Sequence, residues 1–377
     1  MKNRIEFKTL KRNISSLISP LACFLLLIVV PLFSGAQKKK ACFSPPAGVK
    51  FYSDIPYKEG NNAWLVDIAV PENVGENLPA VATIHGGGWK KGDKNGQRGL
   101  IVRFAQNGYV AMAVRYRLSG EAPFPACLQD VKSAIRFLRA NADRYNVDPD
   151  RIGAYGNSAG AHLASMLGLV PVDMGFDDGA NMEFSSVVNA VCAVSAPTDF
   201  SNWENYDSVQ SVEFLDSSKG TLMERAQKAS PISYVNKMSP PFLLIHGTKD
   251  KTVPASQSIR LASELRKVGA ENINLILVDD LGHTPMLTHE SLLWPSVLAF
   301  FDKTIGSKKD KLLNEIRLSQ KYMRTKKKLG SFSFNDIKQF DLNNDEIITH
   351  KEFGGTNELF DRLDKDGDDK IDIRDLK

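Results

Sequence analysis

Between about Val49 and Ile305 the chain repeats one arrangement: a short unbroken apolar run, a turn, then a stretch with apolar residues at helical spacing. The apolar runs are AVATI (80–84), VAMAV (110–114), IGAY (152–155), AVCAV (190–194), FLLIH (242–246) and NLILV (274–278). Leu128 to Tyr145, Ala159 to Leu169, Ala255 to Val268 and Glu290 to Phe301 carry the helical pattern. A strand that is apolar throughout has no face for water, so both of its faces must be covered. Helical crossovers between parallel strands provide that cover. The pattern therefore predicts an α/β domain over residues 49–304, a mostly parallel sheet with helices on both faces. A further pair of runs, near Val49–Ile55 and Ala63–Val70, reads as antiparallel and belongs at the sheet edge.

The segments flanking this domain differ in charge. Residues 1–36 read as a signal peptide. Lys2, Arg4, Lys8, Lys11 and Arg12 oppose only Glu6, an apolar run follows from Leu21 to Phe33, and Ser34-Gly35-Ala36 fits small-residue cleavage. That run is shorter than the roughly 20 residues a membrane span needs. A secreted or periplasmic chain with no stable span after cleavage is expected, an uncleaved anchor over Ile14 to Phe33 being the alternative. Residues 37–48 form a tether. The formal charge of +4 is too small to suggest nucleic acid as a partner, and the N-terminal segment accounts for it. Cleavage leaves Cys42, Cys127 and Cys192, an odd set without metal-type spacing, and a Cys42–Cys127 bridge has no support in sequence alone.

Gly156-x-Ser158-x-Gly160 falls between the IGAY run and the alanine-rich helix that follows. A serine on so tight a strand-to-helix turn would be lifted out of the fold as a nucleophile. Serine needs a base to act, and the base needs a carboxylate to orient it. FLLIHGTKD ends one predicted strand in Asp250, and LILVDDLGH ends the next in His283. Loops past the carboxyl ends of parallel strands share one edge of the sheet, so Ser158, Asp250 and His283 can meet there. Asp279, Asp280 and Asp199 are alternative loop carboxylates. TIHGGGW (83–89) supplies glycines whose amides could approach a substrate oxyanion, with the Ala159 amide as a further donor. His85 is expected to brace the glycine loop, His162 to be satisfied in packing, and His246 to lie in the core. Trp89 either stacks on substrate or anchors its loop.

HGGGWKKGDK, GNSAGAHLASMLGL, PFLLIHGTKDKTVP and the Gly282-His283 pair together resemble the α/β-hydrolase superfamily. They are most similar to the branch holding hormone-sensitive-lipase-like esterases and acetyl- or feruloyl-esterase-like hydrolases. The resemblance covers about residues 48–304. It implies an α/β-hydrolase fold and an oxyanion hole built from Gly87, Gly88 and Ala159. The sequence departs from the usual pattern at Ala161, where a glycine is common, and slight crowding of the helix start is expected there.

Residues 305–330 read as a basic linker helix and 331–377 as an acidic module. DLNNDEIITHKE (341–352) places Asp341, Asn343, Asp345, the Ile347 carbonyl, Thr349 and Glu352 at positions 1, 3, 5, 7, 9 and 12 of a loop. DKDGDDKIDIRD (364–375) does so with Asp364, Asp366, Asp368, the Lys370 carbonyl, Asp372 and Asp375. This is the oxygen-ligand spacing of a helical EF-hand pair, suited to Ca²⁺. Ile348 and Ile371, at position 8 of each loop, could join the loops through a short strand. Glu346 and Asp369 replace the usual glycine at position 6, and Asp375 is shorter than the usual bidentate glutamate, so weak sites are expected.

The reading as a whole is a secreted serine esterase cleaving short-acyl, acetyl or feruloyl esters through an acyl-enzyme. Catalysis requires no cofactor, and calcium is confined to the C-terminal module. The substrate is a small or polysaccharide-linked ester. The alternatives are a serine peptidase of the same superfamily and a non-catalytic calcium-binding adhesion protein. Residues Asp199 to Lys228, with Trp203, Tyr206 and Phe214, are expected to form a small cap over the site.

Overall fold

The computed structural model describes residues 43–203, 214–215, 220–306, 347–349, 368 and 370–372. The chain divides into Met1–Ser44 and Pro45–Lys377, and all the elements below belong to the second unit. The expected signal peptide, the tether up to residue 42, most of the cap tip and the basic linker beyond residue 306 lie outside the described residues.

An eight-stranded sheet runs in the order β1-β2-β4-β3-β5-β6-β7-β8. At one edge, β1 (Val49–Pro56) and β2 (Leu65–Pro71) are antiparallel to each other, and β2 is antiparallel to β4. The remaining strands are parallel: β3 (Leu78–Ile84), β4 (Val110–Val114), β5 (Val147–Asn157), β6 (Ala190–Val194), β7 (Phe242–Gly247) and β8 (Ile273–Val278). β4, β6 and β7 are buried along their whole length, as strands covered on two faces must be. β8 is the far edge, and most of its residues are only half-buried.

The helices are α1 (Arg98–Ala105), α2 (Ala126–Ala140), α3 (Ala142–Tyr145), α4 (Ala159–Leu169), α5 (Leu222–Ala229), α6 (Ser256–Lys267), α7 (Pro285–Thr288) and α8 (Glu290–Thr304). A Cβ on Gly153 of β5 would meet Phe301 of α8 at 2.6 Å, and one on Gly168 of α4 would meet Val191 of β6 at 2.6 Å. Val191 pairs with Ala154 rather than with Gly153. Successive strand residues point to opposite faces. Hence α4 and α8 cover opposite sides of the sheet.

Three local differences from the sequence pattern have physical causes. The helix expected over Leu128 to Tyr145 breaks at Asn141, whose φ of −112° and ψ of 24° leave the helical region. β5 begins earlier than its apolar core, and its register with β3 slips between Leu78 and Ala80, where Pro149 cannot donate to a ladder. α1 was not anticipated, because its eight residues span only two turns, too short a window for periodicity to stand out.

Candidate active site

Ser158 follows β5 directly and precedes the first residue of α4, with φ 55° and ψ −123°. Few side-chain-bearing residues adopt such angles, and the neighbouring glycines make the turn possible. A Cβ on Gly156 would lie 2.2 Å from the Gly160 carbonyl oxygen, and one on Gly160 would lie 2.1 Å from that of Ile84. Gly160 therefore lets α4 start against the end of β3, and Gly156 lets the chain fold back on itself. The Ser158 amide donates to the Val194 carbonyl at 2.8 Å, which ties the turn to β6. Ala161 is fully buried, and α4 still begins at Ala159, so the expected crowding leaves the helix start in place.

The structure brings Ser158, His283 and Asp250 together. His283 Nε2 lies 2.8 Å from Ser158 Oγ, and His283 Nδ1 lies 2.7 Å from Asp250 Oδ2. A carboxylate oxygen only accepts, so Nδ1 carries the proton and Nε2 presents its lone pair to the serine hydroxyl. Asp250 is buried, and its Oδ1 accepts from the amides of Thr252 (2.8 Å) and Val253 (2.9 Å). Burial acts to raise the Asp250 carboxyl. Hydrogen bonds from His246, His283 and the Val253 amide outweigh it and hold the group well below the usual carboxylate range.

The other carboxylates are engaged elsewhere. Asp280 is exposed and pairs with Lys249. Asp199 Oδ1 accepts from the Ser201 amide and hydroxyl and from the Asn202 amide, which fixes the entry to the cap segment. Asp279 is exposed.

Gly86, Gly87 and Gly88 follow β3 and face the elbow, since a Cβ on Gly86 would lie 3.3 Å from Ser158 Cβ. Gly87 has φ 123°, and a Cβ there would fall 2.0 Å from the Lys91 carbonyl oxygen. Among the described residues the amides of Gly87, Gly88 and Ala159 donate to no backbone carbonyl in the loop hydrogen bonds. All three stand where a strand end or a helix start leaves N–H groups unused. Behind the loop, His85 Nδ1–H donates to the Gly86 carbonyl at 2.9 Å, and the ring stacks on Tyr116. Lys94 Nζ is buried between Asp54 and Asp67 at 2.6 Å each, which pins the following turn to β1 and β2.

Trp89 is an anchor rather than a platform for substrate. It is 4% exposed, stacks on Phe214 with centroids 4.2 Å apart, and accepts the Ser119 amide at its carbonyl. Its Nε1–H donates to His162 Nδ1 at 3.2 Å, so His162 Nε2 holds the proton that goes to the Ala229 carbonyl at 2.7 Å. Burial pushes His162 down to about 4. His162 thus links the glycine loop, α4 and the end of α5. Phe214 and Leu215 are the described residues of the cap tip, and the Phe214 carbonyl accepts from the Phe124 amide. Tyr206 lies outside the described residues.

His246 was expected in the core, and it has no exposed surface. Its Nε2 nevertheless lies 3.2 Å from Asp250 Oδ2, a contact that apolar patterning does not reveal. The available signal was the spacing His246-x-x-x-Asp250 at a strand end. Cys127 and Cys192 are buried free thiols, raised by burial.

In the C-terminal segment, β9 (Ile348–Thr349) pairs antiparallel with β10 (Lys370–Ile371), Ile371 opposite Ile348, and both isoleucines are buried. Among the expected metal ligands, Ile347, Thr349, Asp368, Lys370 and Asp372 are described. Asp341, Asn343, Asp345, Glu352, Asp364, Asp366 and Asp375 lie outside the described residues. Among the described residues no helix is long and apolar enough to cross a membrane.

Comparison with known proteins agrees with this geometry. Esterase LipQ of Mycobacterium tuberculosis is 32% identical over 239 residues, covering 61% of this chain and 56% of LipQ. The chain spans about half the length of the curated relatives it matches. A truncated carbohydrate esterase from gut microbiota is 27% identical with a TM-score of 0.61, covering 69% of this chain and 98% of its own. A butyrate-bound esterase of Thermogutta terrifontis is 27% identical with a TM-score of 0.57, covering 68% and 93%. The eight-stranded, mostly parallel sheet and the esterase likenesses are those of the α/β-hydrolases. Residues 66–265, more than half of the chain, match the BD-FAE family model, and the protein belongs to that family.

Proposed function

We propose that the protein is a secreted serine esterase that hydrolyses carboxylic esters of short acyl groups, with acetyl or feruloyl groups on polysaccharide as candidate substrates. The observation that carries this reading is the unbroken chain Asp250–His283–Ser158 beside a glycine loop with unused amides. His283 Nε2 takes the hydroxyl proton as Ser158 Oγ attacks the ester carbonyl carbon. The carbonyl oxygen becomes an oxyanion, held by the amides of Gly87, Gly88 and Ala159. The C–O bond to the alcohol breaks, and His283 returns its proton to the leaving oxygen. Water then repeats the sequence on the acyl-serine, releasing the acid and restoring the serine. Asp250 keeps His283 in the tautomer that each step needs.

The butyrate-bound neighbour and the gut carbohydrate esterase support a short acyl group and a carbohydrate-linked alcohol, respectively. Residues 1–36 are read as the export signal. The C-terminal segment is proposed to bind calcium. Its two sets of hard oxygen donors suit that ion, and the Ile348–Ile371 pairing supports two loops lying side by side. Ser158→Ala should abolish p-nitrophenyl acetate turnover while leaving circular dichroism and melting unchanged. Turnover near the wild-type rate in that variant overturns the assignment. Comparing ester with anilide substrates separates an esterase from a peptidase.

A further inference from the structure

His246, the penultimate residue of β7, lies in the interior, yet its ring is fully committed to polar partners. Nε2 lies 3.2 Å from Asp250 Oδ2 and 2.9 Å from the Val253 carbonyl oxygen. Both partners are acceptors, so Nε2 must carry the proton and share it between them. Nδ1 lies 2.7 Å from Ser258 Oγ on α6 and accepts from that hydroxyl. The two oxygens of Asp250 are therefore loaded differently. Oδ1 takes two backbone amides from its own loop, whereas Oδ2 takes two imidazole donors, from His283 at 2.7 Å and from His246 at 3.2 Å.

The charged groups around this cluster have other roles or face water. Lys249 and Asp280 pair with each other in the open, Lys251 is exposed, and Asp199 is bound to Ser201, Asn202 and Arg260. On α6 the polar neighbours are Ser258 and Gln257, the latter bonded to Thr198 and Asp199. Any buried imidazole needs partners for its two nitrogens. A histidine serving only to pack would not need the Asp250 oxygen that His283 uses, and a leucine would fill a similar volume with no polar atoms to satisfy.

We propose that His246 is a positioning residue for ester hydrolysis: anchored by Ser258 and the Val253 carbonyl, it fixes the Asp250 carboxylate plane and shares Oδ2 with His283. The relay then runs through five side chains, from Ser258 through His246, Asp250 and His283 to Ser158. Two imidazoles on one oxygen divide its charge, so His246 also tempers how strongly Asp250 stabilises the His283 imidazolium. The proposal rests on the esterase reading of the same site.

The test uses the full chain with three variants. His246→Leu removes the donor, His246→Gln keeps an N–H near the Nε2 position, and Ser258→Ala frees the ring while keeping it. Three quantities are read: kcat and KM on p-nitrophenyl acetate, the acid limb of kcat/KM against pH, and the His283 titration followed by NMR without substrate. In His246→Leu, kcat should fall at least about tenfold with KM little changed, the cost expected when a reacting group is misdirected. The acid limb and the His283 titration should both move to higher pH, because Oδ2 loses a competing donor. His246→Gln should recover most of kcat, and Ser258→Ala should fall between.

A folded His246→Leu protein with wild-type kcat and an unmoved His283 titration overturns the proposal. If His246→Leu does not fold, Ser258→Ala decides, and an unchanged rate and titration there overturn it equally. If the wild-type protein cleaves no ester, the activity reading fails on its own, and the NMR titration still decides whether His246 acts on His283.

Discussion

At the scale of single residues, His162 and His246, both fully buried beside the site, differ in what surrounds them. His246 faces a carboxylate, whereas His162 faces an indole N–H and a backbone carbonyl, with no anion to support a charge. Burial lowers His162 from 6.5 to about 4, so the folded protein resists protonation over that interval while the unfolded chain accepts a proton. The unfolded state binds more protons there, and stability therefore rises with pH between those values and is lost as pH falls through them. The span corresponds to roughly 3 kcal/mol. Melting temperature should drop as pH is lowered from 6.5 to 4. The drop should be shallower in His162→Gln, which lacks the titrating ring although it is less stable at neutral pH. Equal slopes for the two proteins would show that other groups dominate. Asp250 adds a second acid-labile component. Its lowered carboxyl stabilises the fold above the ordinary carboxylate range, and that contribution disappears as pH falls through its folded value.

At the scale of elements, the elbow depends on the absence of side chains more than on their presence. Gly160→Ala would drive a methyl to 2.1 Å from the Ile84 carbonyl, backbone that cannot yield as a flexible side chain does. The expected result is a loss of roughly 1–3 kcal/mol or more, together with loss of turnover, read by urea unfolding and p-nitrophenyl acetate assay. An unaffected variant would mean that β3 and α4 can separate without consequence. Much of this was legible in the sequence. Unbroken apolar runs marked the central strands, and glycines two residues either side of Ser158 marked the turn. The illegible parts depend on distant partners. Asp130, Lys132 and Arg136 on α2 are charged, yet all three are buried, neutralised by Arg117 and by Asp177 in a remote loop. Periodicity records which residues are apolar, not which charges will meet. His246 does lie in the core, as its place near the end of an apolar strand implied, but its bond to Asp250 was hidden for the same reason: only the fold closes the loop back onto it.

At the scale of the whole molecule, the hydrolase domain and the acidic C-terminal segment call for separate measurements. Calorimetry of the full-length protein should register Ca²⁺ binding with half-saturation on the order of 10⁻⁴ M, weakened in Asp341→Ala and Asp364→Ala. An absence of heat at millimolar Ca²⁺ overturns the calcium proposal. Within the hydrolase domain, the residues that meet at Ser158 leave from β3, β5, β7 and β8, and β8 has a single neighbouring strand and a half-exposed surface. His283 is thus mounted beside an edge strand of the sheet, whereas Trp89 and Trp294 are buried, each only 4% exposed. Local openings cost less at such margins than global unfolding does. In a urea series, turnover should therefore fade before tryptophan fluorescence shifts, and the enzyme will fall silent while most of its body is still intact.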